Sequence, residues 1–106
     1  MGDSTHLSDL GLMARGGANP TVTGLSVDSR DVKPGHLFAA MPGLRVHGAE
    51  FVQYAVRMGA AAVLTDAQGA EIAADAVERA GAALVDSDPP RETQSRAAAL
   101  YFGAQP

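Results

Sequence analysis

The chain contains no cysteine and no tryptophan, and aromatic residues make up only 5% of its 106 residues. Without cysteine there are no disulfides, no thiolate metal sites and no cysteine nucleophile, a pattern that agrees with a reducing compartment. No stretch approaches the roughly 20 consecutive apolar residues that a membrane-crossing helix needs. Met1 to Leu12 has no positively charged start followed by an apolar core, so no secretory signal is expected. The net charge of −4 comes from acids and bases scattered singly. A phosphate backbone is tracked by clustered Lys and Arg, so nucleic acid is not an expected partner. These absences together predict a cytoplasmic protein with no membrane partner.

Chemical motifs are sparse as well. The sequence has no Gly-x-x-x-x-Gly-Lys-Ser/Thr phosphate loop, no Gly-x-Gly-x-x-Gly turn and no Gly-x-Ser-x-Gly elbow. His6, His36 and His47 stand far apart, with no metal-ligand spacing between them. No metal ligand and no catalytic residue are therefore expected within these residues.

The chain is 46% hydrophobic, enough for one compact domain with its own core. That core should be built mainly from Ala, Val and Leu, with helices packed close to a sheet. Leu7, Leu10 and Met13, three apart behind Ser4 and Thr5, predict a short helix over 5–14 that Gly16-Gly17 would end. Strands are expected over 21–27, 36–41, 60–65 and 82–85. The connection 31–35, with Pro34-Gly35, suggests a hairpin-like antiparallel step. Helices are expected over 49–58, 71–80 and from Asp88 to Gly103. Phe51, Tyr54, Ala55 and Met58 would form the apolar face of the first of these, and Ala97, Ala98, Leu100 and Tyr101 that of the last. Strands alternating with helices predict an α/β fold, a mixed sheet covered by helices.

Two segments can bind a ligand. In Val27-Asp28-Ser29-Arg30 a hydroxyl, a carboxylate and a guanidinium follow one another at a turn between strands, and a guanidinium can hold phosphate oxygens in pairs. On an extended chain Val27 and Ser29 face one side and Asp28 and Arg30 the other, so the first pair would meet a ligand while the second braces the turn. The plain alternative is a capped turn with an Asp–Arg pair. The second segment, Gly43-Leu44-Arg45-Val46-His47-Gly48, has glycines that permit close backbone approach and N–H groups that lead into a helix. Its plain alternative is an ordinary strand-to-helix connection with Arg45 and His47 solvated.

The ordered set Asp28-Ser29-Arg30, Pro34-Gly35, Leu37-Phe38-Ala39-Ala40, Gly43, Gly48, Phe51, Ala55 and Gly59-Ala60-Ala61-Ala62-Val63-Leu64 resembles the N-terminal domain of the Mur ligases, cytoplasmic enzymes that build the peptide stem of peptidoglycan. The resemblance implies that 1–106 is one UDP-precursor-binding domain of a three-domain ligase. By the same resemblance, Val27, Ser29, Leu44, Arg45 and Val46 would contact the UDP portion of UDP-N-acetylmuramoyl-L-alanyl-D-glutamate. The family often has a different polar pair where this chain has Leu44-Arg45, which makes backbone contacts the safer expectation there. ATP and magnesium would be held by the two other domains, and these residues alone would be inactive. Two members share this kind of first domain, one adding the third stem residue, commonly meso-diaminopimelate, and one adding D-alanyl-D-alanine. The ending Arg96 to Gly103 before Pro106 resembles the first. A structural or interaction module without ligand is the remaining reading.

Overall fold

A computed structural model describes residues 5–41, 47–87 and 90–103. Near the start of the chain, β1 (Thr5–His6) pairs antiparallel with β2 (Thr21–Val22) as a small ribbon. The main sheet is separate from it. Its four strands, β3 (Gly24–Ser26), β4 (His36–Ala39), β5 (Ala62–Thr65) and β6 (Ala83–Asp86), lie side by side in that order and are all parallel. Helices α1 (Val52–Arg57), α2 (Ala67–Ala80) and α3 (Pro90–Gly103) alternate with the later strands.

Period-two alternation of side chains explains how both faces of this sheet are covered. Phe38, Val63 and Leu84 pack on one face with Val52 and Ala55 of α1 and Ala70, Ala73 and Val77 of α2. Leu37, Ala62, Leu64, Ala83 and Val85 face the other way, onto Leu7, Leu10, Val22 and Ala97 of α3. The expected Ala, Val and Leu core is present, and Phe38 is its one fully buried aromatic among the described residues. Burying a side chain such as Leu37 or Leu64 stabilises by roughly 1.5–3 kcal/mol, whereas Ala stabilises less but lets the helix backbones lie close to the sheet.

The α/β class stands, and several local expectations need correction. β3 and β4 pair in parallel, with Leu25 opposite Leu37, so no hairpin forms at 31–35. Instead Ser29–Asp31 make a 3-10 turn, and the chain crosses over before entering β4. The antiparallel pairing belongs to the ribbon, not to the main sheet. Residues 5–14 do not form one helix: β1 is followed by a 3-10 turn over Leu7–Leu10, ended by Gly11. Three-residue spacing suits a 3-10 turn as well as an α-helix, and both leucines are buried from it.

In α1 the buried positions are Val52 and Ala55, while Phe51, Tyr54 and Met58 are 47%, 43% and 40% exposed. The stripe turned to the sheet is instead Val52 and Ala55 with the partly buried Val56, one position round the helix from the expected face, and Phe51 belongs to the preceding 3-10 turn. On α3 the buried face is Pro90, Thr93 and Ala97, with Tyr101 half-buried, and Leu100 is exposed. α2 begins earlier than its apolar spacing indicates, because the Asp66 carboxylate caps it by accepting the N–H of Gly69 at 2.7 Å.

Candidate functional site

Parallel strands bring the C-terminal ends of β3 and β4 to the same end of the sheet, where Gly48, Phe51 and Tyr54 stand beside them. A cavity of about 850 Å³ opens there. Val27, Asp28, Ser29 and Arg30 form one wall, and Phe38, Met41, Gly48, Phe51 and Tyr54 form the floor and the opposite wall. A concavity of this size, mostly apolar with a few polar groups, falls in the range of small-ligand sites.

The structure brings Val27 and Ser29 together at this cavity but does not separate them from Asp28 and Arg30. The extended run stops at Asp28, the N-cap of the 3-10 turn, so all four residues line the same concavity and the expected division into two sides is lost. Asp28 accepts the backbone N–H of Arg30 at 2.9 Å and pairs with Arg30 Nη2 at 2.6 Å. Arg30 holds the Asp28 carboxyl well below the usual range, at about 2, chiefly through the side-chain hydrogen bonds and then through the backbone one. Arg30 keeps an 84% exposed side chain, and Asp28 engages only its Nε and Nη2 edge. The Asp–Arg pairing of the plainer reading is thus present, on the wall of a cavity. Leu44, Arg45 and Val46 lie outside the described residues.

Phe51 and Tyr54 read from the sequence as part of one apolar helix face. Their rings instead stand half-exposed on the cavity wall. Gly48 is held against the end of β4 by its N–H, which donates to the carbonyl of Met41 at 2.7 Å. A Cβ at Gly48 would stand 2.8 Å from the Met41 nitrogen and 2.9 Å from its carbonyl oxygen, so only glycine permits this approach.

His47, solvated in the plainer reading of its segment, is 9% exposed. Its Nδ1 accepts the N–H of Ala49 at 2.9 Å, and its Nε2 lies 2.7 Å from Asp66 Oδ1. With Nδ1 accepting, the neutral ring must carry its proton on Nε2, which donates to Asp66. Burial alone would raise the Asp66 carboxyl, but the Gly69 N–H and the His47 ring outweigh it and hold the group below its ordinary value. No local motif marks this pair, because its members are far apart in sequence.

The alternating α/β layers and a cavity beside the Asp28-Ser29-Arg30 turn define a known class: the chain belongs to the Mur ligase family, in the manner of its N-terminal domain. Residues 21–101 match the family described as "Mur ligase family, catalytic domain". The chain is 48% identical over 94 residues to the UDP-N-acetylmuramoyl-L-alanyl-D-glutamate–2,6-diaminopimelate ligase of Streptomyces coelicolor, covering 89% of this chain and 18% of that protein. It is 48% identical over 82 residues to the ligase of the same name from Streptomyces avermitilis, covering 77% of this chain and 15% of that protein. For the one from Caulobacter vibrioides the identity is 40% over 88 residues, covering 83% and 17%. The chain therefore spans less than a fifth of the length of these relatives.

Proposed function

We propose that this chain is the part of a peptidoglycan-building ligase that grips the UDP end of UDP-N-acetylmuramoyl-L-alanyl-D-glutamate, the substrate that the relatives' names specify. The observation that carries this reading is the shared concavity: the Val27–Arg30 turn and the Phe51 and Tyr54 rings face one space of about 850 Å³. A planar base can stack on half-exposed aromatic rings, an interaction worth roughly 1–3 kcal/mol per base. Val27 supplies an apolar contact and Ser29 a hydroxyl for the nucleoside. The Nη1 edge of Arg30, which Asp28 leaves unengaged, suits diphosphate oxygens. Backbone contacts from Leu44, Arg45 and Val46 complete the grip.

In the intact ligase the D-glutamyl carboxylate would be activated by ATP with magnesium and then joined to the third stem residue, meso-diaminopimelate. The described residues do not fit that part of the work. Its sequence has no phosphate loop, and among the described residues no three His, Asp or Glu side chains gather as a metal site. No described helix is long and apolar enough to cross a membrane. The contribution of this chain is to hold and orient the precursor, with ATP and magnesium bound elsewhere in the ligase.

Titration with UDP, and then with UDP-N-acetylmuramoyl-L-alanyl-D-glutamate, should shift the amide resonances of Val27, Ser29, Phe51 and Tyr54. Affinity should be weak, because one domain supplies only part of the contacts. Ser29→Ala should reduce the response without unfolding the chain. An absence of shifts at millimolar ligand would refute the proposal.

A further inference from the structure

We propose that His47 is a positioning residue whose imidazole, bridged to Asp66, locks the contact between Met41 and Gly48 on the cavity wall in its binding shape. The proposal rests on the nucleotide-gripping role only for its affinity readout.

The cavity wall at Gly48 belongs to a 3-10 turn of four residues, too short to hold itself in place by its own hydrogen bonds. His47 stands at the N-cap of that turn and fixes it from two directions. Its Nδ1 accepts the Ala49 N–H, and its Nε2–H reaches across to Asp66, the N-cap of α2. Asp66 is itself anchored by the Gly69 N–H at 2.7 Å. One imidazole therefore couples the start of this 3-10 turn to the start of α2, and Gly48, on the cavity wall, is the next residue along the chain.

The neighbouring groups fit this role. Thr65, fully buried, donates from Oγ1 to the carbonyl of Ala40 at 2.8 Å, tying the end of β5 to the residue before Met41. Gly69 leaves room for the ring: a Cβ there would lie 2.5 Å from His47 Cε1 and would collide with Thr65 Oγ1. Among the described residues no buried side-chain nitrogen or oxygen lacks a partner, so His47 is fully committed to these contacts. It does not line the cavity, and so acts on a ligand only through Gly48 and Met41.

Two substitutions separate the two bonds. Asn at position 47 can still accept the Ala49 N–H but is too short to reach Asp66, whereas Gln can reach Asp66 but caps Ala49 poorly. Val77→Ala, on the buried face of α2 and away from the cavity, serves as a control of similar destabilisation. Amide hydrogen exchange at Gly48, whose N–H is bonded to Met41, should accelerate at least tenfold in His47→Asn relative to Val77→Ala, with partial recovery in His47→Gln. UDP affinity should fall in the same order. In the parent chain the nitrogen shifts of the His47 ring should report the neutral form protonated on Nε2.

Exchange at Gly48 in His47→Asn no faster than in Val77→Ala would overturn the proposal, as would a ring protonated on Nδ1. If the parent chain takes up no UDP, the gripping role falls, and exchange at Gly48 still decides the role of His47. If His47→Asn does not fold, Asp66→Ala applies the same exchange comparison from the other end of the bridge.

Discussion

Arg30 closes on Asp28 from within the same turn: its Nη2 lies 2.6 Å from Oδ2 while its backbone N–H donates to Oδ1. The carboxyl that caps the turn is thereby the carboxyl that orients the guanidinium at the cavity. Its folded value of about 2 lies below the ordinary 3.8, so the folded chain binds this proton less readily than the unfolded one. The stabilisation it contributes is present above the ordinary value and fades as the pH falls from there toward 2. Carbon-detected titration of Asp28 should show the low midpoint, and Arg30→Gln should return it toward 3.8.

Replacing the exposed rings should separate binding from folding. Phe51→Ala and Tyr54→Ala remove half-exposed side chains from the cavity wall and should weaken UDP binding several-fold with a small loss of stability. Val52→Ala, one position from Phe51 but 1% exposed, should do the reverse. It should cost about 2 kcal/mol of stability by leaving a void, with little change in affinity. Paired urea melts and nucleotide titrations check this, and equal affinity losses in all three variants would contradict the assignment of the rings.

Gly48→Ala should be poorly tolerated for a reason unrelated to helix propensity. The added methyl group would press on the Met41 backbone, which cannot move without disturbing the end of β4. A destabilisation of about 1–3 kcal/mol is expected. Amide shift changes should centre on Ala40, Met41 and Gly48, and nucleotide binding should fall together with stability.

His36 gives the fold a second pH dependence. Burial, aided by the positive charge of Lys33, lowers its pKa from 6.5, and its Nδ1 lies 2.7 Å from Ser26 Oγ. The unfolded chain therefore binds this proton more readily than the folded one, so stability is full above 6.5 and declines as the pH falls below it. Melting temperatures measured from pH 7 to 5 should show the decline, and His36→Gln should flatten it.

Much of the architecture could be read from local pattern. The run Ala62–Thr65 is short, apolar and buried, and it is a central strand; Gly81, placed to end a helix, does so after Ala80. The Val27–Arg30 turn stands out by its chemistry and lines the cavity. Features decided by tertiary context were harder to read. Whether β3 and β4 pair in parallel depends on the path taken by 27–35, and a Pro-Gly pair serves a crossover as readily as a hairpin. The outward turn of Phe51 and Tyr54 reflects a choice between two neighbouring apolar stripes, of which the sheet takes Val52, Ala55 and Val56. His47 reads as a lone polar residue because Asp66 comes near it only after β5 has joined the sheet. Nothing in the spacing of either residue announces the other.

The parallel sheet also offers a practical handle. Val27 and Met41 follow their strands at the C-terminal end of the sheet, whereas the Gly81 bend feeds β6 from the opposite end. Ala80, beside that bend, is exposed, and the sequence has no thiol of its own. Ala80→Cys therefore creates a single attachment point for a fluorophore or a surface tether, placed at the end of the sheet away from the cavity at Val27 and Met41.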